Sequence, residues 1–165
     1  MTSANSHIIH AEQDYALATL DDIFVLIWRH ETTMAGAEAL RRECFAFGES
    51  RPQGIVLLTI IEERAPMPQS EPRAAIATFL RDASPFIKAS GVVFEGTGFR
   101  AAAVRSVVIS LTMLAGQKYP HKVFANLVEA SVFLDREAGT KLAIPFTAMS
   151  LERGVTDIRR EIDGA

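Results

Sequence analysis

Residues 91–116 have the sequence GVVFEGTGFRAAAVRSVVISLTMLAG, and this stretch decides the fold. The run from Gly91 to Phe94 is short, apolar and rich in β-branched residues, which is typical of a fully buried strand. Glu95-Gly96-Thr97-Gly98 then turns the chain, and Thr97 is the predicted N-cap of a helix that begins near Phe99. A buried strand that leads directly into a helix is the repeating unit of an α/β fold.

The helix predicted at 99–114 is apolar around more of its circumference than one sheet can cover. A helix that packs on a sheet needs an apolar stripe of only ~100°. We therefore expect a further cover, which is a second helix, the C-terminal tail folded back over the helix, or a second copy of the chain in a twofold homodimer. Arg100 and Arg105 interrupt its two adjacent stripes, which consist of Ala103, Val107, Ser110 and Leu114, and of Val104, Val108 and Leu111.

The composition predicts a globular protein. Of the 165 residues, 48% are hydrophobic and 22% are charged, and the formal net charge is −3. Lysine and arginine form no cluster, so we expect no nucleic acid partner. Because no apolar run reaches the ~18 to 20 residues of a transmembrane span and the first residues lack a signal-peptide pattern, we expect a cytoplasmic protein without a membrane span.

Apolar runs and helical patterns alternate along the chain in the order β-β-α-β-α-β-α-β-α. Strands separated by single helices imply right-handed crossovers and a largely parallel sheet. We predict an α/β fold with a single mixed, mostly parallel five-stranded sheet and about four helices. The predicted strands are 15–20, 23–29, 54–61, 91–94 and 122–125. The predicted helices are 34–47, a helix that follows Ser70 and is ended or kinked by Pro85, 99–114, and a helix that starts at Asn126 and runs through Arg136.

Polar segments at the two ends of the chain predict its division into domains. We expect a flexible N-terminal arm at 1–11, the α/β domain at 12–138 and a C-terminal extension at 139–165. The extension contains a predicted tail helix after Ser150, with a narrow apolar stripe formed by Leu151, Val155, Ile158 and Ile162.

This element order resembles the STAS family, which includes the bacterial anti-sigma factor antagonists. The resemblance covers residues 12–138 and rests on the order and lengths of the elements. It implies a noncatalytic regulatory or scaffolding protein that acts by protein–protein interaction. In that family a phosphorylatable serine lies at the start of the helix after the third strand. The matching connection, EERAPMPQSEP at 62–72, lacks the family motif, so we expect its one serine, Ser70, to cap the helix.

Two further functions stay open beside protein–protein interaction. STAS-like domains without the serine include lipid-binding relatives, and an apolar cavity beside helix 99–114 would suit a small-ligand or lipid-binding module. An enzyme is the third hypothesis, although the polar residues do not combine into a nucleophile, a base and an orienting acid.

The glycine turn at 95–98 has a structural and a functional interpretation. A chain that turns within about three residues favours glycine at positive φ, so we expect Gly96 and Gly98 there. The alternative is a phosphate-binding turn, for which the third glycine and a Walker lysine are missing. Since Arg100 opposes the helix macrodipole, we expect it to pair with Glu95 or Glu62, or with the carboxylate or phosphate of a ligand.

The candidate binding residues lie in connections and at helix starts. Glu62-Glu63-Arg64 follows a central strand and is the mixed-charge group best placed to recognise a partner, with a solvated loop as its alternative. The full candidate set is Glu62, Glu63, Arg64, Ser70, Glu95, Thr97, Arg100 and Arg105.

No catalytic residue, metal site or cofactor is predicted. Cys44 is the one cysteine and lies on the apolar side of its helix, which favours a buried, inert thiol over a nucleophile. His7 and His10 have the spacing of a metal pair, but no third ligand is nearby in the sequence. His30 and Glu31 follow a strand and are either a solvated strand end or a base with its carboxylate.

Overall fold

A six-stranded β-sheet forms the middle layer of the described part of the protein. The structure, a computed structural model, describes residues 4–164 apart from the side chains of residues 111, 112 and 114. The strands lie side by side in chain order, so each new strand is added to the same edge of the sheet. They are β1 (Ser6–Ala11), β2 (Tyr15–Leu20), β3 (Ile23–Trp28), β4 (Ile55–Ile61), β5 (Ile87–Phe94) and β6 (His121–Phe124).

The helices of the described residues cover both faces of this sheet. They are α1 (Met34–Glu49), α2 (Ser70–Asp82), α3 (Gly98–Ala115), α4 (Leu127–Ala138) and α5 (Ala148–Gly164). Helices α1, α2 and α3 connect the strands β3 to β6 and pack on one face, while α4 and α5 pack on the other. Right-handed crossovers that advance in one direction place their helices on one side, which leaves the opposite face to α4 and α5.

The α/β class and the single mixed sheet are confirmed, but the mostly parallel five-stranded sheet is wrong. Two of the five pairings, β1 with β2 and β2 with β3, are antiparallel, and the other three are parallel. The sixth strand is β1, which the sequence placed in the N-terminal arm. Its residues form a strand because they pair with β2 at the edge of the sheet. Polar residues in this segment interrupt the apolar pattern from which a strand is predicted. Residues 1–3 of the predicted arm lie outside the described residues.

The strand β3 shows how the sheet builds a core on each face. All six of its residues are buried, as expected for a strand covered on both sides. Successive side chains point to opposite faces, so each face receives three of them. Ile23, Val25 and Ile27 pack with α4 and α5, whereas Phe24, Leu26 and Trp28 pack with α1 and α2.

The turn between β5 and α3 agrees in part with the prediction. Gly98 has φ +83, as expected, but Gly96 does not have a positive φ. At Gly96 the constraint is steric, since an added Cβ would lie 2.7 Å from the ring of Phe94. Thr97 occupies the N-cap position of α3, although its side chain makes no capping hydrogen bond.

The prediction that Ser70 caps α2 is wrong. The helix begins at Ser70, so Gln69 occupies the N-cap position, and no side chain there makes a capping hydrogen bond. Ser70 is exposed in the first turn of the helix. The backbone of Gln69 is extended, with φ −63 and ψ 163, so the helical dihedral angles begin at Ser70, one residue earlier than expected.

The C-terminal helix α5 does not cover α3. It contacts β1, β2 and α4 on the opposite face of the sheet. Its predicted apolar stripe, which consists of Leu151, Val155, Ile158 and Ile162, is buried there. Of the three covers expected for α3, the tail is therefore ruled out, whereas a second helix, α2, does contact α3. A second copy of the chain stays a prediction.

Replacing Gly139 with alanine is expected to lower the free energy of unfolding by ~1–3 kcal/mol. Gly139 joins α4 to the tail with φ −54, so its backbone suits alanine and the cost is purely steric. An added Cβ would lie 2.6 Å from the carbonyl oxygen of Asp135 and 2.9 Å from that of Phe146, and both are backbone atoms that accept little movement. The matched control is Gly164→Ala, where a Cβ meets nothing within 4 Å. Urea unfolding measures both, and equal stabilities would contradict this path of the tail.

Candidate functional site

A polar cleft lies at the carboxyl ends of the parallel strands. Arg29 and His30 follow β3, the segment 62–64 follows β4, Glu95 follows β5, and Arg159 reaches the cleft from α5. The cleft contains about 750 Å³ of empty space, part of it open to solvent. Open α/β sheets bind ligands at this edge, so the location makes the cleft a candidate site.

Ion pairs connect the charged residues at the wall of this cleft. Arg159 donates from Nη1 and Nη2 to the two carboxylate oxygens of Glu95, each at 2.7 Å. The hydrogen bonds from Arg159 to Glu95 raise the pKa of the guanidinium. Arg29 donates to Asp163 at 3.0 Å, and Glu62 lies 3.8 Å from Arg29 and 3.9 Å from Arg159. Both arginines already have carboxylate partners, so a ligand anion would have to displace one of them.

Four of the predicted binding residues meet in this cleft, and the other four do not. Glu62, Glu63, Arg64 and Glu95 line it together. Ser70 begins α2, and the exposed Thr97 precedes α3. Arg100 and Arg105 lie on α3, and neither pairs with a carboxylate among the described residues. Glu95 and Glu62, the expected partners of Arg100, contact Arg159 instead.

The sequence reasoning missed Arg159 and Asp163, the two residues that α5 contributes. They are spaced i,i+4 beside the buried stripe, and this spacing was the one available signal. It also assigned no function to Asp22, which lies between the predicted strands 15–20 and 23–29. Asp22 is buried, and its carboxylate accepts hydrogen bonds from Arg51 Nε and from the backbone N–H of Ile144, both at 3.0 Å.

The remaining polar candidates have structural partners. Cys44 is fully buried, and burial raises the pKa of its thiol, which disfavours a nucleophilic thiolate. His10 lies on β1 with its Nε2 3.3 Å from Glu43 Oε1. His30 Nδ1 donates to the carbonyl oxygen of Gln13 at 2.7 Å. Within residues 4–164, no three His, Cys, Asp or Glu side chains are placed to hold a metal ion.

An apolar cavity lies between the sheet and the helices α1, α2 and α3. Its walls include Trp28 and Ile61 from the sheet, Phe79 from α2, and Val104 and Val108 from α3. It contains about 650 Å³ of empty space, part of it open to solvent.

The histidine His121 lines this cavity at the start of β6. Burial lowers the pKa of its imidazole from 6.5 to about 4, so the side chain is neutral at pH 7. The ring of Tyr119 packs against it edge to face, with 6.4 Å between the ring centroids. His121 therefore contributes an uncharged polar group to a mostly apolar wall, beside Thr32 and Thr59.

The outer face of α3 carries an exposed stripe of apolar and small residues. We call Phe99, Ala102, Ser106, Ile109 and Met113 the α3 stripe, since their spacing places them along one side of the helix. Phe99 is 93% exposed, Met113 80% and Ile109 45%. Leu111 and Leu114, predicted on the apolar stripes, lie outside the described side chains. Among residues 4–164, no helix has the length and apolar character required to span a bilayer.

No protein-family model, curated protein or solved structure matches this chain. The resemblance to the STAS family therefore rests on the order of the elements alone. Function is inferred below from the cleft, the cavity and the α3 stripe.

Stability is expected to fall between pH 6.5 and pH 4 because of His121. The unfolded chain binds the imidazole proton at a pKa of about 6.5 and the native state only near 4, so acid favours the unfolded chain. The loss is ~2–3 kcal/mol over this window and absent above it. Urea unfolding at pH 7 and pH 4.5 measures it. His121→Leu should reduce the difference between the two pH values, whereas His7→Leu, an exposed position on β1, should leave it unchanged.

Replacing Arg159 with lysine is expected to lower the free energy of unfolding by ~0.5–1 kcal/mol. A lysine keeps the charge but cannot form the paired hydrogen bonds to Glu95. Arg160→Lys is the matched control, because Arg160 is exposed and contacts Asp157 at 3.4 Å through one nitrogen. Chemical unfolding compares the two, and an equal effect at both positions would show that the pair with Glu95 does not anchor α5.

Proposed function

We propose that the chain is a noncatalytic, STAS-like interaction domain that forms a twofold homodimer through the α3 stripe and serves a regulatory or scaffolding function. The observation that carries this proposal is the exposure of Phe99 and Met113, at 93% and 80%. Contiguous exposed apolar patches on soluble proteins mark interaction sites. Twofold homodimers are the commonest way to cover them.

The coverage of the sheet explains why the exposed apolar area falls on α3. Both faces of the sheet are covered by helices of the same chain. The helix α5 buries its apolar stripe on the face of the sheet opposite to α3. In the described structure, α3 therefore keeps its inner residues against the sheet and α2, and its outer stripe faces solvent.

The α3 stripe is suited to pair with itself in an antiparallel twofold arrangement. Ser106 lies midway between Phe99 and Met113, so a twofold axis at Ser106 brings Phe99 of one copy to Met113 of the other. Ala102 and Ser106 are small, which permits close approach of the two helices between the bulky ends. The large end residues and the small central ones make the stripe complementary to its own rotated copy.

The charges on α3 act on this arrangement in opposite senses. Arg100 and Arg105 are its charged residues, and it contains no acidic one. An axis at Ser106 places Arg100 opposite residue 112, at the ends of the interface, whereas the two copies of Arg105 lie close to the axis and repel each other. The antiparallel orientation also sets opposite ends of the two helix macrodipoles side by side, which is favourable.

The STAS-like part of the proposal is supported by the element order. The hairpin β2–β3 is followed by alternating helices and strands as far as α4, as the resemblance implies. Three exposed residues of the loop before α2 can contact a regulatory protein partner. They are Met67 and the oppositely charged Glu63 and Arg64. This loop and α3 are the contact surfaces that we propose for such a partner.

Sedimentation equilibrium at micromolar concentration tests the homodimer. The wild-type chain is expected to have twice the mass of one chain, and Met113→Glu is expected to reduce it to one chain because the new carboxylate would be buried in the interface. The matched control is Val132→Glu on α4, where an apolar side chain is also about half exposed. A monomeric wild type, or dissociation by Val132→Glu alone, would contradict pairing through α3.

Cross-linking through a new cysteine tests the position of the twofold axis. Ser106→Cys should form a disulfide between two copies under mild oxidation, because residues at the axis of packed helices come within the Cα separation that a disulfide spans. The control is Thr97→Cys, which is exposed but far from the axis. The native Cys44 is buried and does not compete. Equal cross-linking at both positions would contradict the proposed axis.

A further inference from the structure

The apolar cavity is a gap in the packing between the sheet and the helices α1, α2 and α3. Strand β4 lies inside the sheet and is paired on both sides, and helices cover both faces of the sheet. Five of its seven residues are buried, whereas Thr59 and Ile61 are only partly buried, and both line the cavity. Protein interiors are packed with few voids larger than a water molecule. The space beside Thr59 and Ile61 is therefore suited to an occupant.

The cavity begins at the edge of the sheet where α/β proteins bind ligands. Trp28 and Ile61 are the last residues of β3 and β4, and both line the cavity. The residues that follow them, Arg29 and Glu62, line the polar cleft. Ligands of open α/β sheets bind at the carboxyl ends of the strands. From this edge the cavity extends beneath the helices to His121 at the start of β6.

The lining of the cavity is uncharged. No Asp, Glu, Lys or Arg is among the described residues that line it. Aliphatic, aromatic and proline side chains form most of the wall, and Thr32, Thr59 and His121 are its polar members. Burial lowers the pKa of His121, so its imidazole is neutral at pH 7. An ion that entered the cavity would lose its hydration without gaining a charged partner, which is costly. The lining therefore favours an uncharged ligand.

The hydroxyl of Thr59 provides a hydrogen bond for such a ligand. Thr59 is the one polar residue of β4, whose sequence is IVLLTII. Within the described part of the chain, its hydroxyl makes no hydrogen bond. A hydroxyl can both donate and accept, so it suits either a hydroxyl or a carbonyl group.

We propose that this cavity binds an uncharged, mostly apolar small molecule that forms a hydrogen bond with Thr59 through a hydroxyl or carbonyl group. Its apolar part packs against Phe79 of α2 and against Val104 and Val108 on the inner face of α3. Small-molecule sites are concave, mostly apolar and equipped with a few polar groups, as this cavity is. Because the α3 stripe lies on the outer face of the helix, the site does not depend on the proposed homodimer.

A series of four probes with one aromatic ring tests the ligand chemistry on the wild-type protein. Benzyl alcohol, toluene, benzoate and benzylammonium are each titrated at pH 7 into isotopically labelled protein, and amide chemical shifts are followed by NMR. Benzyl alcohol is expected to shift residues around the cavity with a Kd on the order of 1 mM. Toluene lacks the hydroxyl and should bind roughly two- to tenfold more weakly. The two ions should bind at least about tenfold more weakly than benzyl alcohol.

Paired variants locate the two parts of the site. Thr59→Val keeps the shape of the side chain and removes the hydroxyl, so it should weaken benzyl alcohol to the level of toluene and leave toluene unchanged. Its control is Thr19→Val, because Thr19 is a partly buried threonine on β2 outside the lining. Val108→Phe should fill the cavity and weaken both probes, whereas Val107→Phe, at a neighbouring position outside the lining, should not. Thermal unfolding identifies any variant that fails to fold, and the wild-type series then decides alone.

Three outcomes would overturn the proposal. Shifts that are absent, or confined to the α3 stripe, would refute the site itself. Binding of benzoate or benzylammonium as tight as that of benzyl alcohol would refute the uncharged class of ligand. Unchanged binding of benzyl alcohol by Thr59→Val would refute the hydrogen bond. Met113→Glu, on the outer face of α3, is expected to bind benzyl alcohol like the wild type, so either this proposal or the homodimer can fail while the other holds.

Discussion

The handedness of the crossover connections determines how the rest of the molecule is arranged. Each connection from β3 to β6 advances in the same direction along the sheet, and right-handed crossovers then place α1, α2 and α3 on a single face. The opposite face would expose the apolar side chains of every strand. The segment after β6 covers it with α4 and α5, whose buried residues join the same core cluster as Ile23, Val25 and Ile27. The C-terminal extension is therefore an integral layer of the fold.

This arrangement also brings the end of the chain to the carboxyl edge of the sheet. Arg159 and Asp163 on α5 reach Glu95 and Arg29, which follow β5 and β3. The resulting network joins α5 to the carboxyl ends of β3, β4 and β5. Glu62 and Glu95, which the sequence suggested as part of a recognition surface, thus serve first to hold α5 on the sheet. Arg29 and Arg159 of the cleft are paired with carboxylates through these contacts.

The helix α3 has two apolar faces with different environments. Val104 and Val108 face the sheet and line the cavity, while Phe99 and Met113 face solvent. A helix that packs on one layer needs apolar residues on one side only. The apolar residues on the second side of α3 therefore imply a partner other than the described chain. Arg73 and Arg100 differ from the arginines of the cleft, since among the described residues they contact backbone carbonyls of the loop before α2 instead of carboxylates. The inner and outer faces of α3 can therefore carry separate contacts.

The sequence by itself determined the elements whose pattern is local. The continuous apolar run of β3, the glycine turn before α3 and the stripe of Leu151, Val155, Ile158 and Ile162 in α5 follow from spacings of a few residues, because strands and helices repeat over that distance. Four charged residues of the cleft, Glu62, Glu63, Arg64 and Glu95, were also found, because they end neighbouring strands.

Tertiary structure alone decided the features that join distant parts of the chain. The edge strand β1 exists through its pairing with β2, and Arg159 meets Glu95 across 64 positions of sequence. The same holds for the buried carboxylate of Asp22, which binds the backbone of Ile144, and for the face on which α5 packs. These contacts depend on the order, the handedness and the register in which the elements stack, and local spacing carries no information about any of them.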